Sequence, residues 1–159
     1  MAEQVQATLD RMVEPLADLQ ARGIFSADEI AQTVERRRQQ EYLLKRTAIR
    51  REDFLQYIQD ETRLEKLREL RTKRIRRKQQ HKQGPNDDPS PGDSHIRKHV
   101  HSLWNRILQK FRSDSSLYLE YGDYLKQTQA HDRLGRLYAR AVQLFPRQGD
   151  WWIQAAVHE

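Results

Sequence analysis

Apolar residues recur at helical steps from the start of the chain. Val5, Leu9, Met12, Val13, Leu16 and Leu19 fall three or four positions apart and predict an amphipathic helix ending near Gly23. Pro15 lies inside this pattern and predicts a kink or a split. Ser26 and Glu29 then have the spacing of a capping box, and Phe25 is placed to staple onto Ile30, so a second helix starts here. Ile30, Val34, Tyr42 and Leu44 would line its buried face. A third helix beginning near Arg51, Glu52 and Asp53 carries Phe54, Tyr57, Ile58, Leu64, Leu67 and Leu70 at helical spacing. Residues 83–92 are dense in Pro, Gly, Asp and Ser and read as a flexible linker. Helices are expected over about 96–111, 115–127 and 131–145, the last ended by Pro146, and another opens at Asp150. No segment alternates with period two for long enough to make a strand, so the expected class is all-α.

A repeat is written over the C-terminal helices. Leu103, Trp104, Asn105, Arg106, Ile107, Leu108 and Gln109 with Phe111 return 34 residues later as Leu137, Tyr138, Ala139, Arg140, Ala141, Val142 and Gln143 with Phe145. Tyr118 and Trp152 keep the same step. This period belongs to helical hairpins that bury their apolar faces by stacking into an α-solenoid, whose concave side is normally an interaction surface. Trp104, Tyr118, Tyr121, Tyr138, Arg140, Phe145 and Trp152 are accordingly assigned to the repeat core. Aromatic residues at this spacing are packing residues before they are a base-stacking platform. Arg136 and Arg140 read first as pairing within or between repeats and second as partner contacts.

With 36% hydrophobic and 33% charged residues in 159, the chain can build one modest core or two small helical segments joined by a linker. The three tryptophans, Trp104, Trp151 and Trp152, concentrate core-building power in the last third. A net charge of +6 favours acidic partners. Much of it lies in residues 71–82, where seven Lys or Arg occur without an acid and Ile75 is the one aliphatic residue. Arg71, Lys73, Arg74, Arg76, Arg77 and Lys78 carry three readings: a solvated helix extension, a phosphate-contacting or nuclear-import segment, or a strap for an acidic protein. Phosphate contacts would release counterions and supply affinity without sequence specificity. Such a face is not expected to dock on a core.

Other chemistry finds little support. The absence of cysteine excludes disulfides and thiolate metal sites. No stretch approaches the ~18 apolar residues of a membrane span, so no membrane partner is expected. His95, His99 and His101 include a metal-like i, i+4 spacing, but no second ligand cluster accompanies them. There is no Gly-rich phosphate loop after a strand and no nucleophile with its base. Neither catalysis, a cofactor, a metal nor a small-molecule substrate is expected.

Tyr118 and Tyr121 in one helix, Arg136, Tyr138, Arg140, Ala141 and Pro146 in the next, then Trp152, Ala155 and Glu159, resemble the half-a-tetratricopeptide (HAT) repeat of RNA-processing factors. Leu125, Ala139 and Ala155 depart from that pattern. Gly122, Tyr138, Ala141 and Pro146 also suit an ordinary tetratricopeptide unit, but arginines on both sides of Tyr138 favour the half type. The N-terminal half sharpens the match: Gly23 to Ile30, then Glu41, Tyr42, Lys45, Arg46, Glu52, Asp53, Phe54, Tyr57, and a tail with Arg71, Thr72, Arg74 and Ile75. In that order these residues are similar to the start of the U-three small nucleolar RNA-associated protein six family. The resemblance implies a scaffold in the UtpB subcomplex of the small-subunit processome, maturing pre-18S ribosomal RNA in the nucleolus. It implies propeller-bearing UtpB subunits as partners, with pre-rRNA or U-three snoRNA touched through the basic segment. The expected layout is an N-terminal docking segment with its basic tail over 1–78, a linker over 79–95, and HAT-type repeats over 96–159 that break off within a longer solenoid. The segment over 1–78, thinly packed and lacking tryptophan, is expected to need a partner surface. A HAT scaffold of mRNA cleavage or splicing, or a basic RNA-binding module, is the alternative reading.

Overall fold

The computed structural model describes residues 2–79 and 90–158. Among them are seven α-helices and no strand: α1 (Ala2–Ala21), α2 (Ala27–Leu43), α3 (Arg51–Gln79), α4 (Pro91–Lys110), α5 (Ser115–Gln127), α6 (His131–Leu144) and α7 (Gly149–His158). The chain forms two compact units, residues 1–103 and 104–159.

In the first unit, α1 is one helix with Pro15 inside it. Its buried stripe, Val5, Leu9, Met12, Leu16 and Leu19, follows the expected spacing, whereas Val13 is exposed. Gly23 ends the helix with φ +69, a left-handed conformation that costs a side-chain-bearing residue energy. The amide of Ile24 donates to Leu19 O and that of Gly23 to Gln20 O, which closes a Schellman turn. Ile24 and Phe25 thereby drop into the core. Ser26 and Glu29 then make the reciprocal capping box that starts α2.

The buried faces of α2 and α3 are largely polar, and this differs from expectation. Thr33, Arg37 and Glu41 are the buried residues of α2, with Ile30 and Val34 packed at the edge of the α1 core, and Tyr42 is exposed. On α3, Phe54, Tyr57 and Ile58 are buried as anticipated, but the stripe continues through Glu61, Glu65, Arg68 and Thr72. Leu67 and Leu70 face outward. Helical geometry puts these charged positions on the inward face, and paired charge removes much of the penalty for burying them. Thr72 and Ile75 also turn inward, so the basic tail remains helical and docks one face on the core.

Residues 80–89 of the expected linker lie outside the described residues. Its end differs from expectation, because α4 starts at Pro91 and residues 91–95 belong to the helix. A Cβ on Gly92 would lie 2.6 Å from Asp18 Oδ2 and 2.8 Å from the Leu19 side chain, so the backbone of α4 sits directly on α1. The Ser90 hydroxyl donates to Asp18. Asp93 accepts from Arg22 at 2.9 Å and lies 3.6 Å from Arg68. Ile96 completes the apolar cluster of the first unit. Part of the surface expected to await a partner is therefore covered by α4 of the same chain.

In the second unit, α5 packs on α6 and α6 on α7. Trp104, Tyr118, Tyr121 and Tyr138 are buried, and Phe145 is half-buried. Trp152 corrects its assignment: it is 54% exposed, while Trp151 is 2% exposed and takes the core position. Trp151 stands 6.4 Å from Tyr118, 6.3 Å from Tyr138 and 6.4 Å from Phe145 between ring centroids. Tyr118 is covered by Phe145 and Trp151 from the elements that follow it. No helix after α7 among the described residues does this for Trp152.

Trp151→Ala is expected to cost roughly 3–5 kcal/mol as a core cavity, against under about 1 kcal/mol for Trp152→Ala. Urea unfolding followed by circular dichroism checks the ranking, and equal losses would refute it. In the first unit, Arg37→Met should cost about 3–5 kcal/mol because it strands the Glu61 carboxylate, and adding Glu61→Leu should restore most of the loss. The same unfolding curves measure that recovery.

Candidate partner and nucleic-acid interface

Three groups of side chains carry the chemistry of this chain: a buried charge network, the outer face of α3, and an arginine row on α6. The first is centred on Arg37, which sends Nε and Nη2 to the two oxygens of Glu61 at 2.9 and 2.7 Å. Both side chains are 0% exposed. Nη1 reaches Met12 Sδ at 3.3 Å and His95 Nε2 at 3.2 Å. Since a guanidinium only donates, His95 Nε2 must be the unprotonated nitrogen of a neutral ring. His99 Nε2 lies 2.9 Å from the Tyr57 hydroxyl, and its ring stacks with that of His95 at 6.4 Å.

Burial alone would lower the pKa of Arg37 and raise that of Glu61, but their mutual attraction wins in both directions. Both histidines are held at about 4, below their ordinary 6.5, first because burial penalises the charged ring and then because Arg37 repels it. Glu61, and Glu41 for His99, pull weakly the other way. The histidine spacing noted in the sequence thus belongs to a core network. Among the described residues no group of three or more His, Cys, Asp or Glu could hold a metal.

On α3, the basic residues divide. Arg71 lies on the inner edge, where it grips both oxygens of Glu29 at 2.7 and 2.8 Å and donates to Ile24 O at 3.0 Å. Its guanidinium also stands 5.3 Å from the Phe25 ring centroid. The Arg71 hydrogen bonds, followed by the Ser26 amide, hold Glu29 at about 2. Arg71 therefore leaves the candidate set: it ties α3 to the cap of α2. Lys73, Arg74, Arg76, Arg77 and Lys78 are exposed. Leu70, Lys73, Arg74, Arg77 and Lys78 line one open concavity of about 640 Å³. A rigid helix, docked through Thr72 and Ile75, thus presents five cations to solvent, which suits phosphates or an acidic protein surface.

In the second unit the Trp104 ring stacks on Tyr121 at 5.1 Å, and Tyr121 on Tyr124 at 6.4 Å. These rings are packing elements. Arg140 is half-buried and acts electrostatically on the phenol of Tyr118, whose pKa rises first through burial. Arg136 is exposed, and neither it nor Arg140 has a carboxylate partner among the described residues, against the pairing expected for them. Arg133, which sequence reasoning passed over, joins them at steps of three and four on one face of α6.

The family described as U3 small nucleolar RNA-associated protein 6 matches residues 9–98, which fall within the first compact unit. A Schizosaccharomyces pombe relative of that name is 35% identical over 159 residues, covering 100% of this chain and 31% of its own length. Relatives from Homo sapiens and Mus musculus, each called U3 small nucleolar RNA-associated protein 6 homolog, are 26% identical across 100% of this chain and 25% of theirs. The chain spans between a quarter and a third of the length of these relatives.

The histidine pair makes a pH prediction. The unfolded chain takes up these protons near 6.5 and the folded chain only near 4, so their contribution is complete above about 6.5 and is lost as pH falls towards 4. The lowered carboxylates Glu29, Glu61 and Asp93 add their losses at more acid pH. Melting temperature should fall between about pH 6.5 and 4.5, and His95→Gln with His99→Gln should flatten that slope. A parent curve already flat over this window contradicts the assignment.

Proposed function

The chain belongs to the U3 small nucleolar RNA-associated protein 6 family, and on that premise we propose that it is a scaffold piece of the small-subunit processome. Within that assembly it belongs to the UtpB subcomplex and serves nucleolar pre-18S rRNA processing and small-subunit biogenesis without catalysing a step. The observation that carries this reading is the family match across a helical unit whose buried charged residues pair with one another, with one outward cationic face left over. Buried Arg37, Glu61, Glu65 and Arg68 hold helices together, and the two buried histidines are neutral. The second unit is the opening of a HAT-type solenoid, which offers surface for propeller-bearing UtpB subunits.

Lys73, Arg74, Arg76, Arg77 and Lys78 form the contact with pre-rRNA or U3 snoRNA phosphates, or with an acidic protein beside them. A helix face of this kind gives sequence-independent affinity and positions a scaffold on RNA that other subunits read.

Replacing Lys73, Arg74, Arg77 and Lys78 with Gln in the tagged full-length protein should reduce U3 snoRNA recovery several-fold between about 0.1 and 0.3 M salt. Helix content should not change, since these side chains face solvent. Recovery of spliceosomal or cleavage factors in place of processome proteins would refute the assignment to this assembly. Equal RNA recovery by mutant and parent across the salt titration would refute the contact.

A further inference from the structure

The arginine row on α6 is independent of the α3 face and has a more defined shape. Arg133, Arg136 and Arg140 line a concavity of about 190 Å³ whose remaining walls are Asn105 and Leu108 of α4, Tyr121 of α5 and Leu137 of α6. All of these residues lie in the second unit. No acid is among them. Arg133 bonds the Tyr121 phenol, while Arg136 and Arg140 have no carboxylate partner among the described residues. Asp132 lines the adjoining concavity with Arg133 and Arg136, and Asp123 is already close to Lys126 at 3.9 Å.

We propose that this concavity receives a phosphorylated serine or threonine side chain of a partner protein. Three guanidiniums around a small cavity match a phosphomonoester, which carries close to two negative charges and three acceptor oxygens. A carboxylate brings one charge and two oxygens, enough to fill a single arginine fork and leave the others uncompensated. Leu108 and Leu137, 1% and 5% exposed, give the floor an apolar surface for the side-chain stem. Asn105 adds an amide donor at the rim. RNA fits less well. The one aromatic residue in the lining, Tyr121, is 4% exposed and stacked against Trp104 and Tyr124, so no ring face is open to a base. A phosphodiester strand also needs a continuing track of cations, whereas these three are confined to one face of α6.

Fluorescence anisotropy with the purified chain tests the assignment, using a labelled heptapeptide Ala-Gly-Leu-Ser-Leu-Gly-Ala in three forms: phosphorylated at Ser, unphosphorylated, and with Glu in place of Ser. A labelled uridylate nonamer is the fourth probe. The phosphorylated form should bind at least about tenfold more tightly than the other two peptides, consistent with charge-assisted bonds to a dianion. Arg136→Gln and Arg140→Gln should each abolish most of that difference, and Arg140→Lys should weaken it because a point charge does not reproduce the fork. Circular dichroism should show unchanged helicity in these variants. Replacing Lys73, Arg74, Arg77 and Lys78 with Gln should leave the peptide preference intact, which separates this site from the α3 face. The inference is overturned if the phosphorylated peptide does not bind, if the Glu form binds as well, or if the uridylate binds as tightly with the same dependence on Arg136 and Arg140.

Discussion

Arg37 and Glu61 meet in the middle of the first unit with no exposed surface on either side chain, joined through two hydrogen bonds of 2.9 and 2.7 Å. Removing two such ions from water costs several kcal/mol each, a debt that attraction at short range repays only when geometry and surrounding bonds are good. Here the remaining donors of Arg37 point at Met12 of α1 and His95 of α4, so one guanidinium touches helices α1, α3 and α4 from α2. Any slide of α2 along α3 would leave a buried charge alone. The pair therefore selects a register more than it adds net stability, and it dictates the protonation of its neighbours. His95 has to offer a lone pair, and His99 beside it is held neutral by the same burial and the same cation.

A second tier of charge closes the unit where α4 arrives. Asp18 of α1 and Arg22 just after it, Glu65 and Arg68 of α3, Ser90 just before α4, and Asp93 and Arg97 within it are linked at distances up to 3.6 Å. Gly92 permits the close approach that lets these groups meet. Exposed ion pairs contribute little one by one, but Glu65 and Arg68 are nearly buried, and a network shares the ordering cost among its members. The family match over residues 9–98 runs from α1 into α4, the same span that these two charge tiers bind together.

Where the pattern was apolar and local, the sequence was legible. The α1 stripe, the capping box at Ser26 and Glu29, and the α5 and α6 boundaries needed only spacing and capping chemistry to be read. What escaped was burial of charge: Arg37, Glu41, Glu61, Glu65 and Arg68 look like a solvated surface until the helix packing is known, because Arg37 meets Glu61 across two helices and the Glu65–Arg68 pair is joined by Asp93 and Arg97 of α4. Leu67 and Leu70 were misjudged for the same reason, since the inward positions had gone to charged residues. Trp151 and Trp152 are adjacent, and a 34-residue step selected Trp152, the position whose equivalent, Tyr118, is buried by the elements that follow it. Residue spacing identifies equivalent places in a repeat, but burial also requires the next layer.

The basic residues illustrate how partner geometry separates cations of identical charge. Arg71 is absorbed by Glu29, and the raised pKa it gains from that contact accompanies the depressed one of the carboxylate. Beyond it Lys73, Arg74, Arg76, Arg77 and Lys78 are exposed along the helix, an open row of charge that can follow a backbone without reading it. Arg133, Arg136 and Arg140 are instead set around a small concavity with a buried leucine floor. An extended open row of cations and a compact cluster of them discriminate differently: the first favours long polyanions through many weak contacts, the second a compact anion through a few directed ones.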